Sequence, residues 1–308
     1  MKTSKFKLIS VAAGLAMMGA AGSANAEAYA YSTNNLIDGF LISTDAVANT
    51  LTRGNNTSSD GATLTGFAGV SGADVGLGVR DAPVSTLGIP VRPENSFGQI
   101  GQRAATSYSS GDAVITREQT GTAAGQGIAA QNVAESNVAL AGFATATGLN
   151  SSASLLNVTL RVVVPGTVTF NFTFDPMRQV FLDAGAAFGS KAEAVLAASI
   201  SIFDSTGALV FVFAPDGILN AAAGETSDPY SLNSTLSRLT PGLTTIDNPV
   251  GLFSATSGNL AIGTYTIAAT MSESTSVIRV AQVPEPASLA LMGLALAGIG
   301  FTRRRKQA

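Results

Sequence analysis

The chain has 308 residues and a net charge of −3, from 17 Lys and Arg against 20 Asp and Glu, and it contains no Cys, His or Trp. Those absences exclude Ser-His-Asp and Cys-His nucleophiles and zinc sites of the usual kind. They also exclude disulfides, so apolar burial alone must hold the fold.

The N-terminus reads as a secretory signal peptide spanning residues 1–26. Lys2, Lys5 and Lys7 form a basic start, Leu8 to Ala21 is apolar, and Ala24-Asn25-Ala26 is an A-x-A cleavage site before Glu27. A permanent first membrane helix fits less well, because the apolar core is short and ends in Gly22, Ser23 and Asn25. Export through the Sec translocon follows. Three cations lie in this segment and four at the C-terminus, so the body between them, 27–282, keeps 10 cations against 19 acids, a net −9. Lys191 is its one lysine. Such a surface is a poor match for nucleic acid and for an anionic bilayer.

Along the body, Ala28 to Tyr31 and Leu36 to Ile42 are apolar groups, and Gly39 within the second suggests a bulge. Arg53 to Gly61 is rich in turn residues. Ala62 to Val79 suits short strands with loops. Ala82 to Gly101, with Pro83, Pro90 and Pro93, suits an extended loop or edge. Tyr108 to Thr116 is a strand candidate. Thr120 to Gly148 is Ala- and Gly-rich and fits helix or strand equally, so residues 27–150 are the less defined part.

From Ser154 the pattern sharpens. Leu156, Val158, Leu160, Val162 and Val164 alternate with Asn157, Thr159, Arg161 and Val163. After Pro165-Gly166, Val168, Phe170, Phe172 and Phe174 do the same. Period two gives each run one apolar face, and the pair predicts a hairpin. Ala194–Phe203 and Ala208–Phe213 around Asp204-Ser205-Thr206-Gly207 predict a second. Phe181 to Lys191 is a loop or short helix. Ser231 to Leu239 alternates imperfectly, and Pro241 to Gly258 reads mostly as loop. Ile267, Ala269 and Met271 share a face of a last strand that Ser272 to Ser276 is expected to break.

The fold class is all-β: an antiparallel β-sandwich or jelly-roll-like body, with an N-terminal signal helix and a single C-terminal transmembrane helix. An outer-membrane barrel would need evenly spaced strands and aromatic girdles. Here aromatics are only 6% of residues and are clustered.

No catalytic residue and no cofactor are expected. A Ser-Lys dyad could use only Lys191 in the body, and adjacency to Ser190 does not point the two side chains at each other. Asp60, Asp204, Asp216 and Asp228 sit in turn contexts that explain them without carboxylate chemistry. Calcium is the ion that hard oxygen donors would suit, with Asp183, Asp204, Asp216 and Asp247 as candidate ligands, although no EF-hand loop occurs.

The tail, 283–308, has three parts. Pro284-Glu285-Pro286 is followed by the uncharged run 287–302 and by Arg303-Arg304-Arg305-Lys306. As a helix the run is ~24 Å long against a hydrocarbon core of ~30 Å, short but usable. The basic end stays cytoplasmic by the positive-inside rule, leaving the body outside.

Val283-Pro284-Glu285-Pro286-Ala287-Ser288, an apolar run containing Gly293, Gly298 and Gly300, and the Arg cluster together resemble the PEP-CTERM sorting signal. The resemblance implies recognition of Pro284, Glu285 and Pro286 by an exosortase, a transpeptidase-like protease of the inner membrane. It also implies removal of the helix and delivery to the bacterial cell surface or matrix, often with exopolysaccharide and biofilm. The expected function is that of an exported, non-enzymatic surface or matrix protein. One alternative is a carbohydrate-binding module using exposed Tyr29, Tyr31, Tyr108, Tyr230 or Tyr265. Another is a glycoside hydrolase with two carboxylates ~5–9.5 Å apart.

Overall fold

A computed structural model describes residues 26–53, 57–67, 70–78, 85–88, 97–102, 106–118, 128–140 and 146–280. The predicted signal helix and the predicted transmembrane helix 287–302 lie outside the described residues. Among the described residues no helix is long and apolar enough to cross a membrane.

In chain order the strands are β1 (Ala26–Thr44), β2 (Thr50–Arg53), β3 (Thr57–Phe67), β4 (Val70–Gly78), β5 (Ser85–Gly88), β6 (Tyr108–Glu118), β7 (Ile128–Leu140) and β8 (Ala146–Val162). They continue with β9 (Val168–Leu182), β10 (Lys191–Phe203), β11 (Leu209–Phe213), β12 (Glu225–Ser227), β13 (Ser234–Arg238), β14 (Gly242–Asp247), β15 (Gly251–Thr256) and β16 (Gly263–Arg279). A single 3-10 turn, Ala221–Ala223, is the one helical element among them.

The strands form two antiparallel sheets of eight. The first runs β12-β15-β9-β1-β7-β6-β5, with β14 beside β15 on the same flank of β9. The second runs β11-β10-β16-β8-β3-β4, with β13 on β10 and β2 on β8. Among the described residues the first strand and the last are therefore interior strands of the two sheets. The Gly39 bulge is present: the register of β1 slips between Leu36 and Phe40 against β7, and between Ile37 and Leu41 against β9.

Period two explains why the sheets face each other. Buried and half-buried residues alternate along all of β9 and β10, so each carries one apolar face that must be covered. The inward residues meet in one core that includes Phe170, Phe172 and Phe174 of β9, Leu160 of β8, Ile200 of β10 and Ile267 of β16. Phe172 is its hub. Its ring centroid lies 5.7 Å from that of Phe40, 5.4 Å from Phe174, 5.8 Å from Phe213 and 5.5 Å from Phe253.

Several local expectations are corrected. The runs around Pro165-Gly166 are no hairpin, because β8 and β9 belong to different sheets. At this end β8 is flanked by β2 and β16, and β9 by β1 and β15, so neither has a free edge for the other. The link is an arch tied to the segment after β1. Asp45 accepts from the Thr167 amide at 2.9 Å, and Asn49 Oδ1 accepts from the amides of Val163 and Val164 at 2.9 and 3.1 Å. A Cβ on residue 166 would strike the Asp45 carboxylate, which would have to swing away from the Thr167 amide it accepts from.

The β10–β11 hairpin does form, Ile200 pairing with Phe213. Its turn closes on Asp204 Oδ1, which accepts from Thr206 Oγ1 at 2.6 Å and from the amides of Thr206 and Ala208. Those bonds, that from Thr206 first, lower the Asp204 pKa. The undecided stretch Thr120–Gly148 supplies β7 and the start of β8. Pro241 to Gly258, read as loop, carries β14 and β15. Ser272 to Ser276 does not interrupt β16, which pairs with β8 and β10 throughout. Asp60 is not in a turn but inside β3, at 4% exposure.

Candidate functional site

Pro284, Glu285 and Pro286, and the basic residues Arg303, Arg304, Arg305 and Lys306, lie outside the described residues, as does Ala24. The structure does place the point where the tail leaves. β16 holds its pairing to the last residue, Arg279 lying opposite Ala146. The next amide, Val280, donates to Ser190 Oγ at 3.1 Å. Ser190 ends the loop between β9 and β10, and its own amide donates to the Ala187 carbonyl at 3.0 Å. Arg279 is buried, which lowers its pKa, and the Asp183 carboxylate opposes that shift.

The other predicted processing site adjoins this loop. Ala26 and Glu27 are the first residues of β1, opposite Leu140 and Ala139. The Glu27 carbonyl accepts from the Asp183 amide at 2.8 Å. The start of β1, at the predicted signal-cleavage junction, and Val280, after which the tail departs, thus lie at one end of the two-sheet body. Sequence reasoning could not reach this, since it depends on the direction of the first and last strands, β1 and β16, which no local signal relates.

The tyrosines form no exposed groove. Tyr29 and Tyr108 are fully buried, and Tyr31 and Tyr265 are nearly so. Tyr29, Tyr31 and Val133 lie on the outer face of the first sheet with Phe97 packed against them. The strap 97–102 is held there by Glu135. Its carboxylate accepts from the Tyr29 hydroxyl at 2.7 Å, from the Ile100 amide at 3.0 Å and from the Gly101 amide at 2.8 Å. The Tyr108 hydroxyl lies between the Gly101 carbonyl, at 2.6 Å, and Glu135, at 3.0 Å. Burial, and next the Glu135 charge, push the Tyr29 pKa far up, so its phenol remains a donor. Tyr230 is half-buried, and its hydroxyl lies 3.0 Å from the Phe174 carbonyl and 2.8 Å from that of Pro249. Burial and then Asp175 push its pKa up to about 12.

Between the sheets, part of the interior is polar. Asn132 of β7 donates to the Met271 carbonyl of β16 at 2.9 Å, and Ser136 lies 2.9 Å from the Thr275 hydroxyl. Glu273 of β16 is fully buried among them. Burial raises its pKa well above 4.5, and the amides of Asn132 and Asn34 offset part of that. Neither amide closes a hydrogen bond of good geometry on the carboxyl. An apolar cavity of ≈ 20 Å³ between the sheets, lined by Phe172, Phe174 and Met271 among others, has room for about one water and none for a sugar.

Asp183, Asp216 and Asp228 serve turns. Asp183 Oδ1 accepts from the Gly185 amide and Asp216 Oδ1 from the Ile218 amide. Asp228 Oδ2 accepts from the amides of Asp216 and Gly217 at 2.9 and 3.0 Å. Asp247 ends β14. Among the described residues no three acids group as metal ligands. Ser190 faces Val280, while Lys191 pairs with Glu193 at 2.6 Å, so the two side chains do not form a dyad.

The family model for the PEP-CTERM protein-sorting motif matches residues 282–306. That is the tail its residues pointed to, and such motifs mark exported proteins directed to an exosortase. The match includes Pro284, Glu285 and Pro286 and leaves the body unassigned. No curated protein matches the chain. Among solved structures, that of the infectious bursal disease virus Gx strain is 10% identical, covers 89% of this chain and 74% of its own, and has a TM-score of 0.10. That of the Gt strain is also 10% identical, covers 88% and 72%, and has the same TM-score, 0.10.

Proposed function

We propose that the protein is a non-enzymatic surface or extracellular-matrix component, exported through the Sec translocon, held in the inner membrane by its tail, and released when an exosortase removes that tail. The observation that carries the reading is the match of residues 282–306 to the sorting motif. The way the body presents the tail supports it. The segment leaves directly from an interior strand, so the Pro-Glu-Pro follows Val280 by only three residues. The absence of His and Cys supports a non-catalytic role, as does the use of Asp204, Asp216 and Asp228 as turn acceptors. Exopolysaccharide is the proposed surrounding; the burial of Tyr29, Tyr31 and Tyr108 favours passive residence in it over binding through an aromatic platform.

The test replaces Pro284, Glu285 and Pro286 with alanine in the native host. The variant should stay in the membrane fraction with its tail intact, while the wild type is recovered outside the cell without it. Mass spectrometry showing the tail removed from the variant contradicts the sorting reading. A glycan array with the secreted protein separates the roles: strong binding to one glycan favours the carbohydrate-binding alternative.

A further inference from the structure

We infer that the tail-bearing end of the body is a bilayer-facing tip, whose Phe188 and Leu239 enter the phospholipid interface while the chain is anchored. The inference rests on the reading of residues 287–302 as the anchor. Phe188 is fully exposed and Leu239 is 70% exposed. Phe188 precedes Gly189, whose Cβ position lies 3.5 Å from Val280 Cγ2. Leu239 follows Arg238, which pairs with Ala192 at the start of β10, one residue from Lys191 opposite Ile278. Both apolar side chains therefore stand at the end where β16 delivers the tail.

The leash between body and anchor, Ala281 to Pro286, is six residues and spans no more than about 22 Å when fully extended. β16 has 17 residues and is about 55 Å long. The leash thus keeps the Phe188 end within about 22 Å of the anchor's entry point, well short of the length of β16, so this end rather than the far one stays in reach of the surface. Val47 is as exposed as Phe188 but lies at the other end, beyond Thr44, which pairs with Val168 where Ala28 pairs with Leu182. Because the body is net acidic, charge does not draw it to an anionic leaflet, and the contact must be apolar. An aromatic and a leucine make a weak contact on their own. Tethering turns that contact into an intramolecular event at high effective concentration, so weak suffices. The contact would hold the Pro-Glu-Pro at the depth where a membrane-embedded protease works.

The chain has no Trp, so Phe188→Trp and Val47→Trp each introduce a unique fluorophore. Each full-length variant is reconstituted through its own tail into vesicles of phosphatidylethanolamine with a minority of phosphatidylglycerol, with and without acyl-brominated phosphatidylcholine. Indole emission from the Phe188→Trp variant should be blue-shifted, and brominated lipid should quench it several-fold more than emission from the Val47→Trp variant. Equal lipid quenching of the two overturns the inference. So does shielding of position 188 from aqueous acrylamide without lipid quenching, which means that protein covers the tip. Flotation of the vesicles reports the anchor separately: a chain that does not float sinks the anchor and the tip together. Because no exosortase is present, failure of tail processing in cells leaves the quenching result standing.

Discussion

The Val280 amide donates to the Ser190 hydroxyl at 3.1 Å, fixing the end of β16 to the β9–β10 loop. Ser190 is buried, and the bond is the last one seen before the tail. Ser190→Ala should cost about 1 kcal/mol. Because the loss is local, hydrogen exchange at the Val280 amide should quicken about fivefold, with the amide of Ala269 in mid-strand unchanged. An unaltered rate at Val280 means that pairing, not Ser190, holds this end.

Glu273 should make the body less stable as pH rises. In the unfolded chain it releases its proton near 4.5, while in the fold burial raises its pKa well above that. Folding therefore takes up a proton between those values, and stability falls through that window by up to about 1.4 kcal/mol per pH unit. Below 4.5 the group is protonated in both states and contributes no slope. Glu273→Gln should raise the melting temperature at neutral pH and flatten its decline above pH 4.5. A variant that melts lower at neutral pH, with the slope retained, contradicts this account.

The Tyr29–Glu135 bond locks the strap 97–102 to the outer face of the first sheet. Tyr29→Phe removes one donor from a buried carboxylate and the acceptor of Gln99 Nε2, which lies 2.6 Å from the phenol oxygen. The expected cost is about 1–3 kcal/mol. Limited proteolysis should cut first within the strap of the variant. If the cost of Tyr29→Phe and Tyr108→Phe together equals the sum of the two single costs, the hydroxyls do not act on Glu135 as a unit.

How far the sequence speaks depends on what the signal encodes. Alternation marks a strand with one covered face, and β8, β9, β10 and β11 are legible for that reason. It does not name the partner. Pro165-Gly166 looks the same whether the chain folds back in its own sheet or arches to the other; the choice lies with distant strands that take both edges of β8 and β9, and Asp45 and Asn49, over a hundred residues upstream, bind the arch. The polar stretch Ser272 to Ser276 resembles a break because it lacks apolar residues. Yet the inward series Met271, Glu273, Thr275, Val277 keeps period two, and the polar members face Asn132 and Ser136 across the interior. Tyr29 and Tyr108 look available to a ligand because a phenol tolerates water, and Glu135 with its covering strap is what buries them. The tail is fully legible because its signal is local and ordered.

Chelation should leave the body's melting temperature nearly unchanged. Asp183, Asp204 and Asp216 are each satisfied by amides of their own turns, and among the described residues no three acids group around an ion. A loss of about 1 kcal/mol would lower the midpoint by roughly 2–4 °C in a body of this size. A larger fall in EDTA, restored by calcium and not by magnesium, would place a structural ion among these acids or beyond the described residues.

Phe172 should be the most damaging single truncation in the body. Its ring is stacked on Phe253 at an interplanar angle of 6° and meets Phe174 edge-on at 74°. These contacts join β9 to β15, and the approach of Phe213 joins β9 to the opposite sheet. Phe172→Ala removes the hub and leaves a void that rigid neighbouring strands cannot close, at a cost of about 3–5 kcal/mol. The void adjoins the ≈ 20 Å³ cavity that Phe172 already lines, which enlarges the unfilled space. Phe172→Leu keeps much of the volume and should cost less than half as much. Urea unfolding midpoints distinguish the two. If alanine costs no more than leucine, the sheets can slide together, and the aromatic cluster does not set their spacing.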